Sequence, residues 1–76
     1  MSRLLRRVSG KEAIAALERI GFVQVRQRGS HVIMKKQGPT GFVGCVVPMH
    51  KELAIGTLYN VLKLAQVTVD EFVENL

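Results

Sequence analysis

The stretch that decides the fold is Phe22–Lys36, FVQVRQRGSHVIMKK. Polar and apolar residues alternate on either side of Gly29-Ser30, and this period of two is typical of half-buried β-strands. We predict a hairpin in which the strands Phe22–Arg28 and His31–Lys36 are joined by a two-residue turn. Gly29 is expected to supply a positive φ at this turn, because glycine adopts such angles without steric cost.

The register of this hairpin predicts which side chains share a face of the sheet, since directly opposed residues point to the same side. A two-residue turn predicts three opposed pairs on one face: Arg28 with His31, Arg26 with Ile33, and Gln24 with Lys35. The other face would carry four apolar side chains, those of Val23, Val25, Val32 and Met34. The hairpin should therefore have an apolar inner face and a basic outer face that holds His31.

A helix is predicted before the hairpin. Ser9-x-x-Glu12 fits a capping box, and Gly21 stands where a left-handed helix end is expected. The apolar face of this helix consists of residues at helical spacing: Ala13, Ile14, Leu17 and Ile20.

One strand and two helices are predicted after the hairpin. A loop over Gln37–Gly41 leads to a strand over Phe42–Val47, which is apolar on both faces, so its pattern does not say which residues point inward. A helix is predicted over Gly56–Ala65, and Thr68-x-x-Glu71 is a second capping box that opens a short helix.

The predicted fold class is α+β with the order α-β-β-β-α(-α), in a single domain over residues 1–76. A three-stranded antiparallel sheet needs one face covered, and the helices are the available cover. This layout resembles the double-stranded RNA-binding domain, whose other sheet face is open. Residues 1–8 are expected to form a loose, basic lead-in.

Charge points to an anionic partner. The net charge is +5 and the sequence pI is about 10.0. Residues 1–36 carry +7 and residues 37–76 carry −2, so the basic character belongs to the first helix and hairpin. Nucleic acid, an acidic protein or a membrane surface would fit this charge.

No metal, cofactor or disulfide is expected. The Arg26–Lys36 stretch has no carboxylate, and two histidines nineteen positions apart with one cysteine between them do not match a zinc site. Cys45 is the only cysteine and reads as a small core residue. No apolar run is long enough to span a membrane, and Met1–Arg7 is too basic, with too short an apolar part, for a signal peptide. Together with the single cysteine, this makes a reducing cytoplasm the simplest location.

Six short motifs follow one another along the chain: Ser9-Gly10-Lys11-Glu12, Gly21-Phe22, Arg26-Gln27-Arg28-Gly29-Ser30-His31, Val47-Pro48-Met49-His50, Gly56-Thr57-Leu58 and Thr68-Val69-Asp70-Glu71-Phe72. In this order and spacing they resemble the HicA family of bacterial toxins, small ribonucleases that cleave messenger RNA. The resemblance runs from about Val8 to the C-terminus. It implies a fold like the double-stranded RNA-binding domain, a catalytic histidine in Gly-Ser-His and a HicB antitoxin partner. His31 matches that histidine.

The candidate site is built around His31, with Arg26, Arg28, Ser30 and Lys35 as candidate phosphate-binding residues. Histidine suits proton transfer, because its ordinary pKa of about 6.5 lies near neutrality. His50, after the third strand, is a possible acid partner. The alternative interpretation gives these residues no functional role. His31 and Ser30 would then form an ordinary polar turn, and His50 would be a surface loop histidine. The three basic residues would lie on an ordinary solvated strand face.

The leading hypothesis is a metal-independent endoribonuclease that acts on messenger RNA and is held inactive by an antitoxin. The first alternative is a non-catalytic RNA-binding module of the same fold. The second is an adaptor that docks an acidic protein on its basic face, and it predicts no affinity for RNA at modest salt.

Overall fold

The computed structural model describes residues 4–76. It confirms the predicted order of helices and strands: α1 (Gly10–Ile20), β1 (Val23–Arg28), β2 (His31–Gly38), β3 (Gly41–Pro48), α2 (Ile55–Ala65) and α3 (Val69–Glu74). The three strands form one antiparallel sheet in the order β1-β2-β3. The α+β architecture is therefore as predicted, with one face of the sheet left open.

A single hydrophobic core joins the helices to the other face of the sheet. The sheet contributes Val32, Met34, Cys45 and Val47, each at most 3% exposed. All three helices add buried side chains, the largest being Leu17 of α1, Leu58 and Leu62 of α2, and Phe72 of α3. No polar or charged residue is buried in residues 4–76, so packing of apolar side chains carries the stability.

The first helix begins and ends as its sequence predicts. The Glu12 N–H donates to Ser9 Oγ at 3.0 Å, and the Ser9 N–H donates to Glu12 Oε1 at 2.9 Å. The Ser9 N–H is the main cause of a lowered pKa for the Glu12 carboxyl, because a hydrogen bond to a carboxylate favours its charged form. Gly21 ends the helix with a φ of 118°.

The predicted register of the first hairpin is right near the turn and wrong beyond it. Arg28 pairs with His31 and Arg26 with Ile33, as predicted, but Gln24 pairs with Met34 and Val23 with Lys35. Val25 is the extra residue of a β-bulge between Gln24 and Arg26. A bulge adds one residue to one strand, and this reverses the faces of the residues beyond it.

This reversal corrects the predicted assignment of the β1 side chains to faces. Gln24 lies on the helix side with Met34, and Val23 lies on the open side with Lys35. Val23 and Val25, predicted to be inner-face residues, are 58% and 50% exposed. The inner face of the first hairpin is therefore supplied mainly by β2.

The faces of β3, which the sequence left undecided, follow from its regular pairing with β2. Cys45 and Val47 point into the core, whereas Phe42 and Val46 lie on the open side. The predicted loop over Gln37–Gly41 is shorter in the structure, because Gly38 and Gly41 already pair as part of the second hairpin.

The end of the predicted lead-in is attached to the domain. Val8 is buried in the core, and its carbonyl oxygen accepts a hydrogen bond from the Leu53 N–H at 2.7 Å. Arg7 Nη1 lies 3.3 Å from Glu52 Oε1 in an exposed ion pair. Met1–Arg3, which also belong to that prediction, lie outside the described residues.

Among the described helices, none has the length and apolar character needed to cross a membrane.

Candidate active site

The turn of the first hairpin presents His31 at the start of β2. Gly29 has a φ of 57°, as predicted, whereas Ser30 has no positive φ. A positive φ at the first central residue alone is the pattern of a type II′ turn, in which glycine is preferred. The side chain of Gln27 reinforces the turn by donating from Nε2 to the Gly29 carbonyl oxygen at 3.0 Å. No sequence pattern predicted this role for Gln27.

Backbone contacts join this turn to the end of β3 and to the start of α1. His31 pairs with Pro48, and the Ser30 carbonyl oxygen accepts a hydrogen bond from the Met49 N–H at 2.6 Å. The Gly10 N–H donates to the His50 carbonyl oxygen at 2.9 Å. The segment around both histidines is therefore held by three elements that are distant in sequence.

Gly10 allows this close approach, which sequence reasoning did not foresee. A Cβ atom at Gly10 would overlap the carbonyl oxygen of Pro48, so a larger residue would force the two segments apart. The available signal was a glycine at the first position of α1 that no positive φ explains, since such a glycine indicates close approach of another backbone segment.

The open face of the sheet is best described as rows across the three strands, since paired residues share a face. In the order β1, β2, β3 the rows are Arg28, His31 and Pro48; then Arg26, Ile33 and Val46; then Val23, Lys35 and Gly44; and last Gln37 with Phe42 on β2 and β3. The structure thus brings His31, Arg26, Arg28 and Lys35 to one face, with His31 and Arg28 adjacent.

The side chains of the three basic residues and of His31 on this face have no partners within the described part of the chain. Among residues 4–76, no hydrogen bond or ion pair engages the side chains of Arg26, Arg28, His31 or Lys35. All four residues are exposed. Exposed cations without internal partners are available to an anionic ligand.

Lys36 is separated from this cationic face. It pairs with Val43 on the helix side of the sheet, and its Nζ lies 5.9 Å from the centre of the Phe22 ring. This contact is of the cation–π type. Lys36 is therefore packed against Phe22 on the helix side, whereas Lys35 on the open side is available to an anionic ligand.

His50 lies at the same end of the molecule as His31 but in a different setting. It lines a cavity of about 290 Å³ together with Ser9, Lys11, Met49 and Lys51. This cavity adjoins the start of α1, whose terminal N–H groups at Gly10 and Glu12 already donate to His50 and Ser9. Lys11 and Lys51 give this cavity a positively charged lining.

The other groups able to do chemistry are occupied or dispersed. Cys45 is buried in the core, and burial raises the pKa of its thiol to about 11, so the thiol is uncharged at neutral pH and a poor nucleophile. Within residues 4–76, no group of three or more His, Cys, Asp or Glu could hold a metal ion. Histidine and basic residues are thus the chemistry that this face offers.

Comparison with known families bears directly on this site. The sequence model described as the HicA toxin of bacterial toxin–antitoxin matches residues 10–67. The chain belongs to the HicA toxin family. The matched residues include the whole sheet, the Gly29-Ser30-His31 turn and His50, and membership implies an antitoxin as a partner of this toxin. No curated protein is significantly similar to the chain.

Proposed function

We propose that this HicA toxin is a metal-independent endoribonuclease that cleaves messenger RNA and is neutralised by a HicB-type antitoxin. The observation that carries the proposal is the position of His31, exposed on the open face beside Arg28 and flanked by cations without partners. This combination of groups is able to transfer a proton next to a bound phosphate and to stabilise the charge that develops there.

The proposed reaction uses a nucleophile that RNA itself supplies. His31 removes the proton from a ribose 2′-hydroxyl, and the 2′-oxygen attacks the adjacent phosphorus. The bond from phosphorus to the 5′-oxygen breaks, and that oxygen takes up a proton. The products are a 2′,3′-cyclic phosphate and a 5′-hydroxyl. Because the substrate hydroxyl attacks, the reaction needs no metal-bound water, and DNA is not a substrate.

The basic residues of the open face would bind and position the phosphates. Arg28 is adjacent to His31 in the same row, and Arg26 lies one row away, so both can contact phosphates beside the reacting one. Lys35 lies further along β2 and would bind a more distant phosphate. Cations near the phosphorus also stabilise the negative charge that develops on its oxygens in the transition state.

His50 is the candidate for the acid that protonates the leaving oxygen. It follows Pro48, the β3 partner of His31, by two residues, so both histidines lie at one end of the sheet. The Ser30 hydroxyl makes no hydrogen bond among the described residues and could donate to phosphate. A HicB-type antitoxin would neutralise the toxin by covering the open face.

Cleavage of RNA by the purified protein in EDTA, measured beside His31→Ala, tests this function. We expect the substitution to reduce the cleavage rate by roughly 10²–10⁴-fold, the usual contribution of a general acid–base group. Melting temperature should not change, because His31 is exposed. Lys63→Ala, on the exposed side of α2, is the matched control and should cleave like the unchanged protein.

Equal cleavage by the unchanged protein and His31→Ala would refute the mechanism. RNA binding without any cleavage by the unchanged protein would favour a non-catalytic RNA-binding module instead. Loss of cleavage in EDTA would refute only the metal-independent part. The chemical nature of the RNA ends separates the routes further, since attack by the 2′-hydroxyl leaves a cyclic phosphate.

A further inference from the structure

The open face divides lengthwise into two strips of different chemistry. The basic strip consists of Arg26 and Arg28 on β1, a strand that also exposes Val23 on this face. The apolar strip consists of the open-face residues of β3, namely Phe42, Gly44, Val46 and Pro48. Phe42 is 73% exposed and Val46 is 42% exposed.

RNA binding does not account for the apolar strip. β3 carries no charged residue, so it offers nothing to a phosphate. Unpaired bases can stack on aromatic side chains, but Val46 is aliphatic and, apart from His31, Phe42 is the one aromatic residue on the open face as described. Phe42 also lies six residues along β3 from Pro48, about 20 Å from the row of His31.

A protein partner accounts for both strips together. Exposed apolar side chains bordered by polar groups mark protein interaction sites, and aromatic residues are enriched in the centre of interfaces. Here Lys35 on β2 lies one row from both Phe42 and Val46, and Arg26 lies in the row of Val46 on the far side of Ile33. The complementary partner therefore presents apolar side chains together with acidic ones. The family of this toxin implies a protein partner, its antitoxin, which is the occupant considered for this surface.

We propose that the apolar strip, with Phe42 and Val46 as its main contacts, is the docking surface of the antitoxin and takes no part in RNA binding. This inference rests on the proposed function in one respect, the assignment of RNA to the basic strip. Pro48 belongs to the apolar strip and pairs with His31, so an antitoxin bound along β3 also reaches the row of His31.

This division has a consequence for competition between the two ligands. The antitoxin and RNA would share the cations, but the antitoxin would gain additional affinity from apolar contacts that RNA cannot make. Since apolar association depends little on salt whereas phosphate binding weakens steeply with salt, the antitoxin keeps its advantage at high ionic strength.

The double substitution Phe42→Thr with Val46→Thr tests the proposal. Threonine retains a high β-propensity, and both positions are exposed, so the sheet should be preserved. Isothermal titration with the purified cognate HicB-type antitoxin should show a Kd at least about 30-fold higher, the effect of losing an interface hot spot. RNA cleavage by the free toxin should be unchanged.

Leu64→Gln is the matched control. Leu64 is 62% exposed on α2, on the side of the molecule away from the open face, and glutamine suits a helix. This variant should bind the antitoxin and cleave RNA like the unchanged protein. Circular dichroism and thermal melting of all three proteins verify that each is folded.

Three results would overturn the proposal. If the double substitution leaves antitoxin affinity unaffected, the apolar strip is not the docking surface. Loss of RNA cleavage or RNA affinity in the folded double variant would assign the strip to RNA. Self-association that disappears in the variant while antitoxin binding persists would assign it to a second copy of the chain. Titration does not require cleavage, so an unchanged protein that cleaves no RNA would refute the proposed function without affecting this test.

Discussion

The two faces of the sheet differ in what their side chains contact. On the covered face, Val32, Met34, Cys45 and Val47 are at most 3% exposed and pack against the helices. On the open face, Val23, Phe42 and Val46 are 42–73% exposed, beside cations without partners. Stability therefore resides on the covered face, and the open face is available for recognition at little cost to folding.

Substitution of two adjacent valines on β3 tests the difference between the two faces most directly and has the largest expected effect on stability. Val47 is fully buried and Val46 is 42% exposed, although the two are neighbours in sequence. Val47→Ala should lower the free energy of unfolding by about 2 kcal/mol, from lost burial and the cavity left behind. Val46→Ala should cost less than about 0.5 kcal/mol, as is usual at surfaces.

Urea denaturation of both variants measures this difference. Equal losses of stability would mean that the open face also contributes to the core, and the contrast between the faces would fail.

Charge on the open face gives a second, smaller effect. Arg26→Gln and Arg28→Gln should each weaken RNA binding and reduce the slope of log K against log salt concentration by about 0.7, because each removes one contact to a single-stranded phosphate. Their unfolding curves should match that of the unchanged protein, since neither arginine has a partner within residues 4–76.

Lys63→Gln on α2 serves as the control for net charge, because it removes one positive charge from outside the open face. An equal change of slope in this control would show that RNA responds to the total charge of the protein and not to the basic strip.

Acid should affect the helix side of the molecule, with the smallest effect of the three. The Glu12 pKa is lowered in the folded protein, so its contribution to stability is present above the ordinary value of 4.5 and is lost as the pH falls below it. Glu12→Gln keeps an acceptor for the Ser9 N–H but does not ionise. The difference in melting temperature between the two proteins should therefore narrow from pH 7 to pH 3.

A constant difference across this range would show that the charge of Glu12 does not stabilise α1. The rows of the open face contain no carboxylate, so the candidate site has no acidic group of its own to titrate in this range.

Sequence reasoning succeeded where the deciding interactions are local. The capping box of Ser9 and Glu12, the left-handed Gly21 and the pairing of Arg28 with His31 were all predicted, because each depends on residues a few positions apart. The predicted sheet faces of Gln24 and Val23 were wrong, because no glycine or other turn residue marks the bulge at Val25 in the sequence.

Sequence patterns alone are enough to predict the order of helices and strands, the turn that presents His31 and the family of the protein. Tertiary packing sets which face of β3 is buried, since that strand is apolar on both sides. It also decided that Gly10, Ser30 and Met49 hold the end of the sheet where the two histidines lie. These contacts join segments far apart in the chain, so packing of the whole domain sets them and no local pattern encodes them.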